Sequence, residues 1–421
     1  MHEDLGKKKL FFKKHWWKFL AVVLVIATFI VFSHGIEPVQ VNKPERNVVV
    51  DESQNSDNCQ NENKIKFGAS PIDLNNLAAI YPMGRMDPGS GHVAPTDHQY
   101  WLPKGITKDS TLESNPTLYK ISAPGKGILS SIEHQTQVLS GSMKVDDYRL
   151  IFDYPCGIHS AYMHVNTLSP DIEREFQINK KSLNEGREFA SVKIPVDEGE
   201  VIGTTGTHNF DFMVWDDSLT LPGFVNPNDY NSENWKPHII DPFNIFIEPL
   251  RSSLIEKSVR KVAPFGGKID YDIDGKLVGT WFREGSGGYA GSIAQGKIGN
   301  YWDGHLSIAY NEIDPKYIII SSGSGGLFAV KNNMPDPADI GKSSGMIKYE
   351  LVYFDLVTAD GAKWDFSGPS YENVSVRTYS TATGVAAFQM LDDRKLKAEF
   401  FPGETIEQVN GFDDKALTYV R

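Results

Sequence analysis

Ser160-Ala-Tyr-Met-His164, and further on Val196-Asp-Glu-Gly-Glu-Val-Ile-Gly-Thr-Thr-Gly206 running into Thr207-His-Asn-Phe-Asp-Phe212, decide how the middle of the chain folds. Apolar residues recur at every second position in short runs, and glycines interrupt them. That is the pattern of short strands joined by tight turns. Working outward, Ile121–Ile132 reads as a turn and strand, and Tyr148–Tyr154 as a strand. The one helix expected lies near 170–188, where Asp171-Ile-Glu-Arg-Glu-Phe176 follows Ser169-Pro170. Asp241-Pro-Phe-Asn-Ile-Phe-Ile-Glu-Pro249 closes this unit, which spans 65–250.

Beyond a polar, basic connector at Arg251–Lys261, the short-strand pattern resumes over 262–421. Leu277–Phe282, Leu306–Tyr310, Tyr317–Ile320 and Tyr349–Phe354 are its strand candidates. Gly285-Ser-Gly-Gly288 and Ser322-Gly-Ser-Gly-Gly326 lack the Gly-Lys-Ser/Thr ending of a phosphate loop and read as hairpin turns. A second all-β domain, a sandwich or barrel, is expected. Gly279-Thr-Trp281 resembles the first strand of lipocalin-like barrels. Trp281 and Trp302 are candidates for stacking on a sugar, although Trp in a small β domain usually belongs to the core.

The N-terminus reads as a membrane signal. Residues 1–18 carry six Lys against Glu3 and Asp4. Residues 19–35 follow as an uncharged apolar run, from Phe19 through Phe32 and on to Ser33-His-Gly35. With Trp16 and Trp17 before it, the run is long enough to cross a bilayer. The Lys cluster would hold the short tail on the cytoplasmic side, so the expected topology is a plasma-membrane, single-pass anchor with the C-terminal part outside. A cleaved signal peptide is the alternative, and both export the rest. Residues 36–64 read as a polar linker. It contains Cys59, while Cys156 lies in the folded part; sequence alone does not decide whether they pair.

The formal net charge is −12 in spite of that basic tail, so the exported part is more acidic still. Such a surface repels phosphates, and nucleic acid is excluded as a partner. Two cysteines make neither a disulfide framework nor a Cys-based zinc site.

Four segments in order carry the chemistry: Gly91-His-Val-Ala-Pro-Thr-Asp-His98, Ser122-Ala-Pro-Gly-Lys-Gly127, Ser160–His164 and Val196–Phe212. Together they resemble the lysostaphin/LytM-type zinc metallopeptidases over about residues 90–215. In that family a His-x-x-x-Asp pair comes first. A Tyr-x-His strand, a V-x-x-G-x-x-I-G-x-x-G stretch and a His-x-His-Phe strand follow. The resemblance implies a β-sheet groove in which two His and one Asp hold Zn²⁺, and two further His polarise water or the scissile carbonyl. It also implies cleavage of cell-envelope peptides.

Carried over one at a time, His92 matches the first ligand. Asp97 matches the second, at a spacing of five where the family has four; His98 beside it is the alternative. His164 matches the auxiliary His of Tyr-x-His. On the last strand Asp211 falls on the third ligand position and Asn209 on the other catalytic His. Strand alternation puts His208 with Phe210 and Phe212, away from the groove. The expected metal residues are thus His92, Asp97, His98 and Asp211, and the expected catalytic residues His164 and Asn209. Such a mixed site suits Zn²⁺, and also Mn²⁺ or Fe²⁺. Asn209 donates a hydrogen bond but moves no proton, so catalysis is weakened. The expected protein is mostly β, with a single N-terminal transmembrane helix, a lysostaphin/LytM-like domain and a second all-β domain. The expected function is a metallopeptidase-like envelope protein with an altered metal site. A non-catalytic module recognising an envelope peptide or glycan is the alternative.

Overall fold

The computed structural model describes Cys59 and residues 65–421, except 106–114, 139–143, 184–185, 296–298, 365 and 367–372. The expected cytoplasmic tail, the transmembrane segment at 19–35 and nearly all of the linker lie outside the described residues. Among the described residues, no helix is long and apolar enough to cross a membrane.

The chain is mostly β. Its first half contains β1 (Leu77–Tyr81), β2 (Gln99–Pro103), β3 (Tyr119–Ser122), β4 (Gly127–Val138), β5 (Lys144–Tyr154) and β6 (Ile158–Val165). β7 (Thr167–Leu168), β8 (Lys181–Ser182), β9 (Glu188–Val196), β10 (Val201–Thr205) and β11 (Phe210–Asp216) complete it. Eight of these form one sheet in the order β1-β2-β11-β6-β5-β4-β9-β8, and β3-β10-β7 form a small second sheet. The expected helix is present but short: α1 spans Pro170–Asn179, opened by the proline at its first turn. The helix α2 spans Leu250–Glu256 and so takes in the first part of the stretch Arg251–Lys261 that was expected as connector.

Alternation decides which face each residue joins. Phe210, Phe212 and Val214 of β11, Tyr162 of β6 and Trp101 of β2 point to one side. There they meet Ile121 and Ile202 of the small sheet, Phe176 of α1 and Phe246 in the main core. Phe212 stacks edge-on against Trp101, with ring centroids 5.5 Å apart. The opposite face of the same strands carries Asp211, Met213 and Trp215.

The second half is a closed antiparallel barrel. Its strands are β12 (Gly279–Arg283), β13 (His305–Tyr310), β14 (Ile318–Ser322), β15 (Gly326–Val330), β16 (Met346–Val357), β17 (Ser375–Asp392), β18 (Lys395–Pro402) and β19 (Leu417–Val420). Each pairs with its neighbour in sequence, and β19 returns to β12, which leaves no unpaired edge. Trp281, Ile308, Ile320, Tyr349, Phe388 and Tyr419 fill its interior. Trp281 and Trp302 are both buried, which removes them as exposed sugar-stacking residues.

The two halves share an apolar cluster. Met213 and Trp215, on the face of the large sheet opposite the main core, pack with Phe282, Tyr289, Tyr301 and Trp302 of the barrel half. The Tyr301 hydroxyl donates to the Gly91 carbonyl at 3.1 Å. A hairpin arm between β16 and β17 brings Trp364 against Tyr81, stacked with centroids 5.7 Å apart. Tyr81 in turn donates to Glu312 of the barrel half. A disulfide joins Cys59 to Cys156, so the end of the linker is tied to the turn between β5 and β6.

Candidate functional site

The sheet face shared with the barrel also carries a buried polar cluster. Asp211 and Tyr100 are paired across β11 and β2, so they point the same way. His98, two residues before Tyr100, shares that direction and Asp97 does not. This is the physical reason that His98, rather than Asp97, meets Asp211. His98 Nε2 stands 3.5 Å from Asp211 Oδ2. Asp97 lies behind it, accepts from His98 Nδ1 at 2.9 Å and from Trp235 Nε1 at 2.9 Å, and pairs with Lys236 Nζ at 3.0 Å.

His164 arrives by a different device. Asp211 is opposite Met163 and Phe212 opposite Tyr162, so simple alternation would send His164 to the core side with Tyr162. On the other flank Tyr162 pairs with Leu150 and Val165 with Tyr148, so Met163 and His164 together face the single Arg149. That is a β-bulge, and His164 occupies its left-handed position at φ 64°. The extra residue swings the imidazole into the groove. Its Nε2 stands 3.4 Å from Asp211 Oδ2 and its Nδ1 2.9 Å from Asp147 Oδ2.

The remaining members close the chain of contacts. Asn209, just before β11, donates its side-chain amide to Asp211 Oδ1. Gln137 donates to Asp147 at 2.5 Å and shares a hydrogen bond of 3.1 Å with His208 Nε2. His208 therefore does reach the cluster, with its ring 5.4 Å from that of His164. Strand alternation does not reach His208, because β11 begins only at Phe210 and residues 206–209 are irregular. His92 packs edge-to-face on the His98 ring at 5.7 Å. Among the described residues no ion pair joins His92 to Asp211. The structure thus brings together His98, Asp211, His164 and Asn209, and it sets Asp97 against Lys236 instead of beside Asp211. Sequence reasoning missed Lys236, Trp235 and Asp147, since none lies within a motif.

Burial shapes the electrostatics. Asp97, His98, Asp147, Asp211 and Lys236 are all buried. Burial alone would raise the Asp97 pKa, but Lys236, His98 and the Trp235 N–H outweigh it and hold the carboxylate well below its ordinary range. Burial would lower the Lys236 pKa, and Asp97 with Glu233 raises it instead. Burial likewise pulls His164 down, yet Asp147 and Asp211 hold its pKa well above the usual imidazole value. In that state His164 is an imidazolium between two carboxylates, which cannot accept a proton as a general base. His92 goes the other way, lowered to about 3 by burial and by the neighbouring His98.

Two further histidines sit between pairs of carboxylates. His134 contacts Glu188 and Asp146, and His159 contacts Asp153 and Asp217. Both are cross-strand arrangements, invisible to a search for ligand spacing along the chain.

As for a metal, His98 Nε2 is buried and has no hydrogen-bond partner, which fits a ligand atom. Yet among the described residues no three His, Cys, Asp or Glu side chains are already gathered as a metal-holding group.

No family model matches the chain, and neither does any curated protein. It is similar to a chain in the structure of the SpoIIQ–SpoIIIAH pore-forming complex, with 14% sequence identity and a TM-score of 0.23. That match covers 46% of this chain and 98% of the other. A superposition at that score assigns no residue of one chain to a residue of the other.

Proposed function

We propose that the chain is a membrane-tethered protein of the cell envelope in which a lysostaphin-like groove has given up peptide hydrolysis. The groove and barrel together then act as a recognition module for an envelope peptide or glycan. The observation that carries this reading is Lys236, seated 3.0 Å from Asp97 inside the cluster. In the family pattern Asp97 is the second metal ligand. Here an ammonium group neutralises it, and a buried ion pair with a second acidic partner, Glu233 at 3.0 Å, is not readily displaced. Asn209 in place of a catalytic His and His164 held between Asp147 and Asp211 support the same conclusion. Asn209 does not titrate, and an imidazolium at His164 does not accept a proton as a general base.

The full chain, purified in detergent and supplied with Zn²⁺, should cleave glycine-rich and wall-derived peptides no faster than buffer does. Sustained turnover would overturn the reading. The tether and its direction rest on the apolar run at 19–35 and the Lys cluster before it. The Cys59–Cys156 disulfide supports an oxidising compartment for the folded part. Protease added to intact cells should remove the chain from about residue 36 onward; complete protection until lysis would refute that topology.

A further inference from the structure

We propose that the arm formed by β16 and β17 is a binding platform for an uncharged glycan, whose sugar rings stack on Tyr353 and Tyr379. The inference rests on the recognition reading above and commits it to a sugar and to a place. Of the described Phe, Trp and Tyr residues, only Tyr353 and Tyr379 are exposed, at 56% and 47%. They are also neighbours. The pairing that sets Phe354 opposite Thr378 carries on to Tyr353 and Tyr379. The pairing of Ala329 with Val352 carries on to Phe328 and Tyr353. Three rings thus stand side by side across β15, β16 and β17, with the Phe328 and Tyr353 centroids 5.6 Å apart and their planes 30° from parallel. Alternation sends Phe354 and Leu356 the other way, onto apolar clusters that include Met86 and Tyr81 of the groove half. One face of the arm is therefore docked, and the other presents rings to solvent.

The platform is held in place before any ligand arrives. The Tyr379 hydroxyl donates to Asp355, which also pairs with Lys363 at 2.6 Å and Arg377 at 3.5 Å. The Arg377 guanidinium lies 5.9 Å from the Tyr379 ring centre and donates to the Gly361 carbonyl at 2.9 Å. Size decides against a protein as the occupant. At these exposures the three rings offer about 300 Å² at most, taking about 200 Å² for a whole aromatic side chain. A stable protein interface needs about 800 Å² on each partner. Apart from Leu391 at the far end of β17, no aliphatic side chain of β15, β16 or β17 is exposed to extend the patch, whereas Ser380 and Thr381 are. A pyranose fits such a surface: its apolar C–H face covers an aromatic ring, and its hydroxyls bond to the polar side chains around it. Charge narrows the class. The formal net charge of −12 repels a polyanion, and Asp355 is already matched by Lys363 and Arg377, so it offers nothing to a polycation.

The test is calorimetric titration of the full chain, in a detergent without a sugar headgroup, with N-acetylchitotetraose as the uncharged glycan and a glycine-rich peptide as the comparison. The parent should bind the tetramer. Tyr353→Ala and Tyr379→Ala should each weaken that binding about tenfold or more. Both side chains are exposed, so both variants should keep the parent's melting temperature. Tyr353→Trp should retain the affinity and Tyr353→Leu should not, since stacking needs a ring and general apolarity does not supply one. His164→Gln, in the groove, should leave sugar binding unchanged. No binding of the tetramer by the parent, or binding undiminished when both tyrosines are replaced by Ala, would overturn the site. So would a concentration-dependent dimer of the parent that the tyrosine variants abolish while sugar binding is unaffected, which would make a second copy the occupant. Peptide binding without sugar binding would keep the recognition reading and refute this site. Sugar binding together with peptide cleavage would keep the site and refute the non-hydrolytic reading.

Discussion

Two of the buried cations among the described residues, Arg421 beside the barrel and Lys236 in the groove, are held in opposite ways. In the barrel, the Arg421 guanidinium lies 3.9 Å over the Trp281 ring and donates to the carbonyls of Val278, Ile273 and Lys276. Its carboxylate neighbour Asp272 is no closer than 3.6 Å. In the groove, Lys236 sits between the carboxylates of Asp97 and Glu233, both at 3.0 Å, with the Tyr289 ring 4.8 Å away. The first cation is satisfied by backbone and an aromatic face, so its removal leaves carbonyls and a ring without their partner. The second is satisfied by charge, so its removal leaves charge behind. Packing is what fails in one region when a partner is deleted, and electrostatics in the other.

The largest effect expected from breaking this contrast is in the barrel. Trp281 is fully buried and donates to the Leu277 carbonyl at 2.9 Å. Trp281→Ala should cost about 3–5 kcal/mol in a denaturant titration, and would also strip the ring from Arg421. Loss of less than about 1 kcal/mol would mean the barrel core packs without it. In the groove, Lys236→Met leaves Asp97 buried beside His98 without its cation and should cost about 3 kcal/mol. Adding Asp97→Asn to the same chain should recover most of that loss, because the stranded charge goes with it. No such recovery would show that Lys236 acts by packing, as Arg421 does.

The two regions also differed in how far they could be read in the sequence. Period-2 alternation marked four of the barrel's eight strands, β12, β13, β14 and β16, within a few residues of the runs Leu277–Phe282, Leu306–Tyr310, Tyr317–Ile320 and Tyr349–Phe354; β15, β17, β18 and β19 were not among its candidates. Closure was not legible, since it depends on β19 pairing back to β12, a long-range contact with no local signature. In the groove, spacing located Asp211 and Asn209 on one strand face. It did not reveal that His98 and not Asp97 faces Asp211, because that follows from the register of β2 on β11. Nor did it reveal the bulge that aims His164, which takes one extra residue against Arg149. Lys236 and Asp147 come from segments without any motif and are made neighbours by tertiary packing alone.

A smaller, pH-dependent difference sharpens the comparison. Burial raises the Asp272 pKa to about 6, and Arg421 only partly offsets it. A carboxyl whose folded pKa lies above its unfolded value of about 3.9 binds its proton more tightly in the native state. Its contribution to stability is fully present below about pH 4 and is lost as pH rises through about 6. Relative to Asp272→Asn, the parent should therefore lose about 2 kcal/mol of stability between pH 4.5 and pH 7. Equal slopes in the two proteins, measured by chemical denaturation across that range, would mean Asp272 is ionised throughout.

The smallest effect concerns the join between the regions. The Tyr301 hydroxyl donates to the Gly91 carbonyl, immediately before His92, from a ring buried among Tyr289, Trp302 and His305. Tyr301→Phe keeps the ring and removes the donor, leaving a buried carbonyl unsatisfied. The cost should be about 1 kcal/mol. The shared cluster of Met213, Trp215, Phe282 and Tyr289 is left intact, so groove and barrel should still melt in one transition. Calorimetry checks this directly. Two resolved transitions in the variant would mean that one hydroxyl couples the regions and that their common apolar cluster does not. The opposite fates of Lys236 and Arg421 would then belong to two independently folding units.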